Sequence, residues 1–588
     1  MSIAQNFPEI KPSLNLDFAN TKKLDDRVTF ARASEARYYD GVTTAKAEEN
    51  LVLYSQEFEN AAWLLSGASR TANSTTAPDG TNTADKLIED SSTSVHAIYQ
   101  AKTVIATTHT ASVYMKESER SWGFLQFSTG QLGAYFDLTN GVVGTVSAGF
   151  TASIQSVNNG WYRCSITTTT TSASWTFAVL TATGDGVISY TGDGTSGIFI
   201  WGAQLEQRSS VTAYTPTTTQ PITNYIPTLL SAPANTARFD HNPVTGESLG
   251  LLVEEQRTNL LLRSEEFDNA AWTKTRASIT SNTIVAPDGT LTGDKWVEDT
   301  TASNTHTLVQ NVTINNATVY SFSFYAKAAE RSLIRVNSPS IGVDLWFNLA
   351  TGLLQITTLG TGTITPVGNG WYRIVATGTS NTTSGAATIF LSNGTTHIYT
   401  GDGYSGVYIW GAQLEAGAFP TSYIKTEASQ VTRSADNASM TGANFSDWYR
   451  ADEGTVYTDS ITYGGNGPIA YLTDNTLNNL HQINANFGGS YQFTAYVVTN
   501  GVNVVNFNSA PLTYGTNFKI GYGFKTNDFG ASVNGASVST DTSGTLPIIN
   551  RLDIGRRFDG SYVASAVIKK IAYYPARLTN TQLQALTS

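Results

Sequence analysis

The sequence predicts an all-β chain built as a multidomain β-sandwich protein: two tandem jelly rolls followed by a third, separate sandwich. Three observations carry this prediction. Aromatic residues make up 11% of the 588 residues and charged residues only 14%, against a usual share of about 25%. Aromatic and β-branched side chains suit a pleated, half-buried surface. Apolar and polar residues alternate over runs of five to seven residues, as in Ala111-Ser112-Val113-Tyr114-Met115 and Gly197-Ile198-Phe199-Ile200-Trp201, and clusters of Gly, Asn, Asp and Thr separate the runs. Finally, a long segment of the chain occurs twice.

The repeat defines the domains. Asn60-Ala61-Ala62-Trp63 returns as Asn269-Ala270-Ala271-Trp272, and Ala77-Pro78-Asp79-Gly80-Thr81 as Ala286-Pro287-Asp288-Gly289-Thr290. Asn159-Gly160-Trp161-Tyr162-Arg163 returns as Asn369-Gly370-Trp371-Tyr372-Arg373, and Trp201-Gly202-Ala203-Gln204-Leu205-Glu206 as Trp410-Gly411-Ala412-Gln413-Leu414-Glu415. An offset of 209 or 210 residues held over this length means two copies of one domain, since solenoid repeats have periods of about 20–50 residues. The expected units are residues 1–48, a segment too short to fold alone that docks on a partner chain or on the first sandwich; 49–215, jelly-roll copy 1; 216–255, a connector with a hairpin; 256–426, jelly-roll copy 2; and 427–588, the third sandwich.

Within these units, Ser13-Leu14-Asn15-Leu16-Asp17-Phe18 and Arg27-Val28-Thr29-Phe30 are expected strands, and Asn140-Gly141 and Asn159-Gly160 are tight-turn signals. In the last unit, Phe445–Tyr449, Tyr491–Val498, Phe518–Phe524 and Ile568–Tyr574 read as strands, with an Asn534-Gly535 hairpin. The convincing helix start is Leu578 to Leu586, with Thr579 as its N-cap.

Charge and cysteine content bear on partners. The net charge is −11 and no Lys/Arg-rich run occurs, so the footprint of nucleic-acid binding is missing. No run of about 18 apolar residues occurs, so membrane insertion is not expected. Residues 1–20 lack a basic patch followed by an apolar stretch, which predicts no signal peptide and synthesis in a cytoplasm. A single cysteine, Cys164, leaves no intrachain disulfide to form.

Enzymatic motifs are not found. No Gly-x-Ser-x-Gly elbow, His-Glu-x-x-His helix or Cys/His metal spacing occurs. His96 and His306 occupy matching places in the two copies, and the acidic pairs Glu89-Asp90 and Glu298-Asp299 read as structural. The expectation is therefore no catalytic residue and no enzymatic activity.

Sugar binding needs apolar ring faces beside amide and carboxylate partners. Trp63 with Asn60, and Trp272 with Asn269, are candidate platforms; the other reading of these repeated residues is a shared core, because large aromatics dominate cores. Trp161-Tyr162-Arg163 and Trp371-Tyr372-Arg373 carry the same two readings. Trp201 and Trp410 close alternating apolar strands and are assigned to the core. Trp122 is a candidate because Ser332 stands near its expected place in the second copy. Asp79 and Asp85, and their repeats Asp288 and Asp294, supply acids and turn carbonyls that suit a structural calcium ion, or simply a capped turn. Beyond this candidate calcium no cofactor is expected.

Several segments carry a resemblance. Leu14-Asn15-Leu16-Asp17-Phe18-Ala19-Asn20 with Arg27-Val28-Thr29-Phe30-Ala31-Arg32-Ala33-Ser34, and Phe239-Asp240-His241-Asn242-Pro243 through Leu252-Val253-Glu254-Glu255-Gln256, resemble the N-terminal module of head spike and fibre proteins on tailed phages and gene-transfer-agent particles. The first of these has Asp25-Asp26-Arg27 and lacks the Asp-His-Asn-Pro hairpin of the second. The repeated units resemble carbohydrate-binding-module jelly rolls. The last unit resembles laminin-G/concanavalin-like domains, through Val533-Asn534-Gly535 and Ile571-Ala572-Tyr573-Tyr574-Pro575.

The resemblance implies a virion surface fibre or spike protein, made in the host cytoplasm, that displays glycan-binding sandwiches for host attachment. Residues 1–48 would anchor it to capsid or tail proteins, a host-surface polysaccharide would be its ligand, and a homo-oligomer, a trimer, would be its assembly. The alternatives are a capsid decoration or adaptor without sugar binding, and a polysaccharide depolymerase.

Overall fold

A computed structural model describes residues 8–484 and 492–588. Tyr491, placed at the start of an expected strand, and residues 1–7 of the expected anchoring segment lie outside the described residues; the strand itself runs Gln492–Thr499. The chain is all-β, as expected, and folds into three sandwiches.

The two jelly rolls are built alike. In the first, one six-stranded sheet has the order Val142–Val146, Gly133–Asp137, Trp122–Ser128, Ala173–Ala182, Ala97–Val104, Leu64–Ser66. The other runs Phe150–Asn158, Trp161–Thr169, Thr108–Glu117, Gly197–Glu206, Ala84–Glu89, Ala68–Thr75. The second jelly roll repeats both orders, from Leu353–Leu359 to Thr273–Thr275 and from Thr361–Gly368 to Ala277–Ile284. Strand Val343–Asn348 shows the expected period of two, with Val343, Leu345 and Phe347 inside and Asp344, Trp346 and Asn348 facing out. Val113, Met115, Leu125, Phe127 and Ile200 fill the first core, and Phe322, Phe324, Val336, Phe347 and Ile409 the second. Asn159-Gly160 and Asn369-Gly370 adopt positive φ at both residues, the geometry of a two-residue hairpin turn.

The third sandwich recruits distant segments. Leu14–Asp17 pairs antiparallel with Ala564–Tyr574, Leu14 opposite Tyr573. The hairpin Arg238–His241/Ser248–Val253 pairs with the same strand further along, Leu251 opposite Ile568. Thr29–Ala31 pairs with Asn437–Thr441 in the facing sheet. Leu14, Leu16, Phe18, Leu251 and Val253 are buried in this third core. The expectation that residues 1–48 dock on a partner chain or on the first sandwich is corrected: their apolar strands need burial, and strand Ala564–Tyr574 offers the edge that they pair. The rest of both segments, Ala36–Asn50 and Ile222–Ala232, forms a separate two-stranded ribbon.

In the C-terminal unit, helix Asn580–Thr587 has the expected N-cap, with Thr579 and Gln582 in a reciprocal capping box. Phe445–Tyr449 is not a strand. Ala443–Ser446 is a short helix, because Phe445, Trp448 and Tyr449 at i, i+3 and i+4 turn to one side and pack together, with ring centroids 4.8 Å apart for both Phe445 pairs.

Candidate functional site

An open cleft of about 680 Å³ lies between the two jelly rolls. Its first wall comes from neighbouring strands of one sheet. Thr108–Glu117 carries Tyr114, Trp161–Thr169 carries Arg163, and Gly197–Glu206 carries Trp201, while Tyr214 follows the last strand. Tyr114 and Trp201 meet edge-on at 5.2 Å, Trp201 and Tyr214 at 4.8 Å, and the Arg163 guanidinium lies 5.3 Å from the Tyr114 ring centre. A bulge between Trp201 and Gln204 makes this possible. Gly202 sits there at φ 61°, and a Cβ on it would stand 2.9 Å from the Tyr114 ring, so both the backbone twist and the close ring approach require glycine. Burial pushes the Tyr114 phenol above its ordinary range, although Arg163 pulls it down.

The second wall belongs to jelly roll 2: Tyr404, Tyr408, Lys295 and Glu330. Lys295 Nζ stands 4.3 Å from the Tyr404 ring centre and 2.8 Å from Glu330 Oε1. A backbone bond from Ala213 N to Thr283 O, 2.7 Å, ties the two walls. Gln155, Ser278 and Asn282 add exposed amides and a hydroxyl at the cleft's edge. Aromatic faces beside amide and hydroxyl groups can stack on a flat, hydroxylated ring and hydrogen-bond its edge.

The same wall exists in jelly roll 2 but is covered. Tyr325, Trp410 and Tyr423 repeat the geometry, with 5.2 Å between Tyr325 and Trp410 and 4.7 Å between Trp410 and Tyr423. Arg373 lies 5.8 Å from the Tyr325 ring centre. The ribbon Ala36–Asn50/Ile222–Ala232 packs Tyr39, Ile226 and Leu229 onto these rings. The contrast is plain at one turn. A Cβ on Gly289 would meet Ala45 and Thr228 of the ribbon, whereas around its repeat Gly80 nothing lies within 4 Å.

The predicted platform residues do not face a ligand. Trp63 and Trp272 are each 1% exposed; they pack on Phe58 and Phe267, and their Nε1 groups donate to Tyr54 O and Arg263 O. Asn60 and Asn269 accept from the backbone N of Ala62 and Ala271, closing the turn before each tryptophan. Both assignments to glycan binding are corrected to core and turn. Trp161, Trp371, Trp201 and Trp410 are buried as well, and only Trp201 borders the cleft. Trp122 is half-buried against Ala97, Phe124 and Tyr135 on the outer sheet of jelly roll 1, away from the cleft. Its counterpart is Leu333, because the offset has grown to 211 at this point. One aromatic that jelly roll 2 presents on that outer sheet is Trp346, half-buried beside Arg335, which also holds Asp344 at 2.7 Å.

The four acids are placed for folding. Asp79 and Asp288 accept from Thr81 N and Thr290 N within their own turns. Asp85 and Asp294 are 1% exposed and accept from Asn73 N and Asn282 N. Burial, aided by nearby acids, raises both carboxyls to about 7. Among the described residues no three His, Cys, Asp or Glu side chains come together as a metal-binding group. His96 and His306 are fully buried and tie loops through Gly67 O and Arg276 O. Glu89 and Glu298 hold Arg120 and Arg331.

Sequence reading missed Tyr114 and Tyr214 and weighed Arg163 only beside Trp161. Tyr114, Arg163 and Tyr214 all repeat in copy 2, but the signal that separates them from core, the covering ribbon, is a tertiary one.

No protein-family model matches the sequence and no curated protein matches it. Solved structures do. The tandem CBM22-1–CBM22-2 domains of Paenibacillus barcinonensis Xyn10C are 12% identical, covering 64% of this chain and 99% of that one, with a TM-score of 0.19. Mouse laminin α1 domains LG4–5 are 11% identical over 46% of this chain and 85% of that one, with a TM-score of 0.18. Trypanosoma rangeli sialidase is 9% identical over 90% of this chain and 98% of that one, with a TM-score of 0.21. Likeness at this level assigns neither ligand nor activity. The expectation of no enzymatic activity is withdrawn, since a sialidase is among the structures found.

Proposed function

We propose that the chain is a virion surface fibre or spike protein that attaches to host-surface glycans, and that the cleft between its jelly rolls is the contact site. One observation carries the glycan reading: an aromatic wall open in jelly roll 1, facing a second aromatic wall from jelly roll 2, with amides and hydroxyls at its edge. The virion placement is supported by the resemblance of residues 14–34 and 239–256 to phage spike and fibre modules. Those segments are built into the third sandwich, so capsid or tail proteins would meet that sandwich as a whole. Oligomerisation, as a trimer, would multiply a shallow site into avid attachment.

The test is glycan-array binding by the full chain, followed by calorimetry on the best hit. Tyr214→Ala and Tyr404→Ala, one from each wall, are each expected to weaken binding about tenfold, since a ring contact contributes about 1 kcal/mol beyond area. No binding to any glycan, with attachment to capsids intact, would favour the adaptor reading.

A further inference from the structure

The cleft holds a buried cation that meets no carboxylate among the described residues. Four arginines among the described residues are buried: Arg32, Arg163, Arg238 and Arg433. Three meet carboxylates: Arg32 reaches Asp436 at 3.0 Å, Arg238 reaches Glu254 at 2.7 Å and Asp436 at 2.6 Å, and Arg433 reaches Glu254 at 3.4 Å. Arg163, 9% exposed and lining the cleft, belongs to no ion pair among the described residues. Its Nη2 donates to Ser112 Oγ at 3.2 Å, and its buried Nε has no acceptor. The counterpart Arg373 makes the same serine bond, to Ser323, and adds Thr421 O at 2.6 Å. Among the described residues Arg163 has no such carbonyl.

A guanidinium stays charged inside a protein, and an unpaired buried charge is costly. The acids around it are engaged elsewhere. Asp79 Oδ1 accepts from Thr81 N and Oγ1. Glu330 pairs with Lys295. Glu206, fully buried, accepts from Thr212 N at 3.0 Å, and burial raises its carboxyl toward the neutral form against the pull of Thr212 and Arg163.

We infer that the ligand supplies the missing counter-ion: the cleft takes an acidic saccharide whose uronate carboxylate pairs with the Arg163 fork while its ring stacks between the two tyrosine walls. A planar guanidinium matches a carboxylate with two parallel hydrogen bonds. This inference rests on the glycan reading of the same cleft and adds the class of sugar.

The test uses the full chain and calorimetry with uronate-containing oligosaccharides, the same oligosaccharides after reduction of their carboxyls to hydroxymethyl groups, and sulfated neutral ones. The acidic forms are expected to bind at least tenfold tighter than their reduced partners. Arg163→Met should abolish that difference, and Arg163→Lys should retain part of it. The wild-type comparison stands even where a variant fails to fold. Equal binding of acidic and reduced forms, or binding of sulfated saccharides alone, overturns the inference and leaves the glycan reading intact. Absence of binding to every saccharide overturns both.

Discussion

Arg238 Nη2 lies 2.6 Å from Asp436 Oδ2, with both side chains fully buried, and this pair joins the connector hairpin to the first strand region of the third sandwich. Arg32 from the N-terminal segment reaches the other oxygen of Asp436, and Glu254 bridges Arg238 to Arg433. Ser422, at the end of jelly roll 2, donates to Glu254 through both its N and its hydroxyl, each at 2.6 Å. One buried cluster thus gathers the N-terminal segment, the connector hairpin and the chain from Ser422 to Asp436.

Breaking this cluster leaves an uncompensated buried charge. Arg238→Met and Asp436→Asn are each expected to destabilise the third sandwich by about 3–5 kcal/mol, read as a shift in the denaturant midpoint. A change of less than about 0.5 kcal/mol, the usual scale of a surface substitution, would show that the cluster is dispensable.

The same cluster sets an acid limit. Burial acts to raise the Glu254 carboxyl, but Arg433 and Arg238 outweigh it and hold it at about 2, below its ordinary 4.5. A depressed carboxyl adds stability that is present above 4.5 and lost as pH falls through 2. This loss amounts to about 3 kcal/mol. Unfolding midpoints measured from about pH 5 down to about pH 2 should fall steadily, and Glu254→Gln should flatten that dependence while lowering stability at neutral pH.

Asp85 and Asp294 act in the opposite direction. Both are raised to about 7 by burial, so they favour the fold while protonated, and that contribution is lost as pH rises through 7. Thermal midpoints of the jelly rolls should decline between about pH 4 and about pH 7 and level off above that, and Asp85→Asn with Asp294→Asn should remove the decline. A flat wild-type profile over that range would contradict the burial argument.

The ribbon Ala36–Asn50/Ile222–Ala232 packs over the aromatic face of jelly roll 2. Tyr39→Ala and Leu229→Ala remove a buried ring and buried methyls from the Tyr325–Trp410–Tyr423 face, and each is expected to cost about 2–4 kcal/mol in stability. Calorimetry should accordingly count one saccharide per wild-type chain. Two per chain would mean that the covered face also binds.

Much of the fold is legible from sequence because it depends on local rules. The Asn159-Gly160 turn, the Thr579 cap and the alternating strands are short-range features, and the duplication announces two like domains. Phe445–Tyr449 reads as a strand because five aromatic-rich residues fit either period. The weaving of Leu14–Asp17 into the third sandwich joins residues more than 550 positions apart, and no local pattern encodes that choice. For the site, repetition points equally to core and to surface. Trp63 and Tyr114 are both repeated and both buried, yet only Tyr114 borders the cleft, because what distinguishes them is the neighbouring domain.

That one cleft, walled by both jelly rolls, binds the glycan is tested most directly by calorimetry of the best-binding saccharide against the full chain, Tyr214→Ala, Tyr404→Ala and, as a control on the outer sheet, Trp346→Ala. A single site weakened about tenfold by either cleft variant and untouched by Trp346→Ala is expected; binding lost with Trp346→Ala and kept in both cleft variants would contradict it.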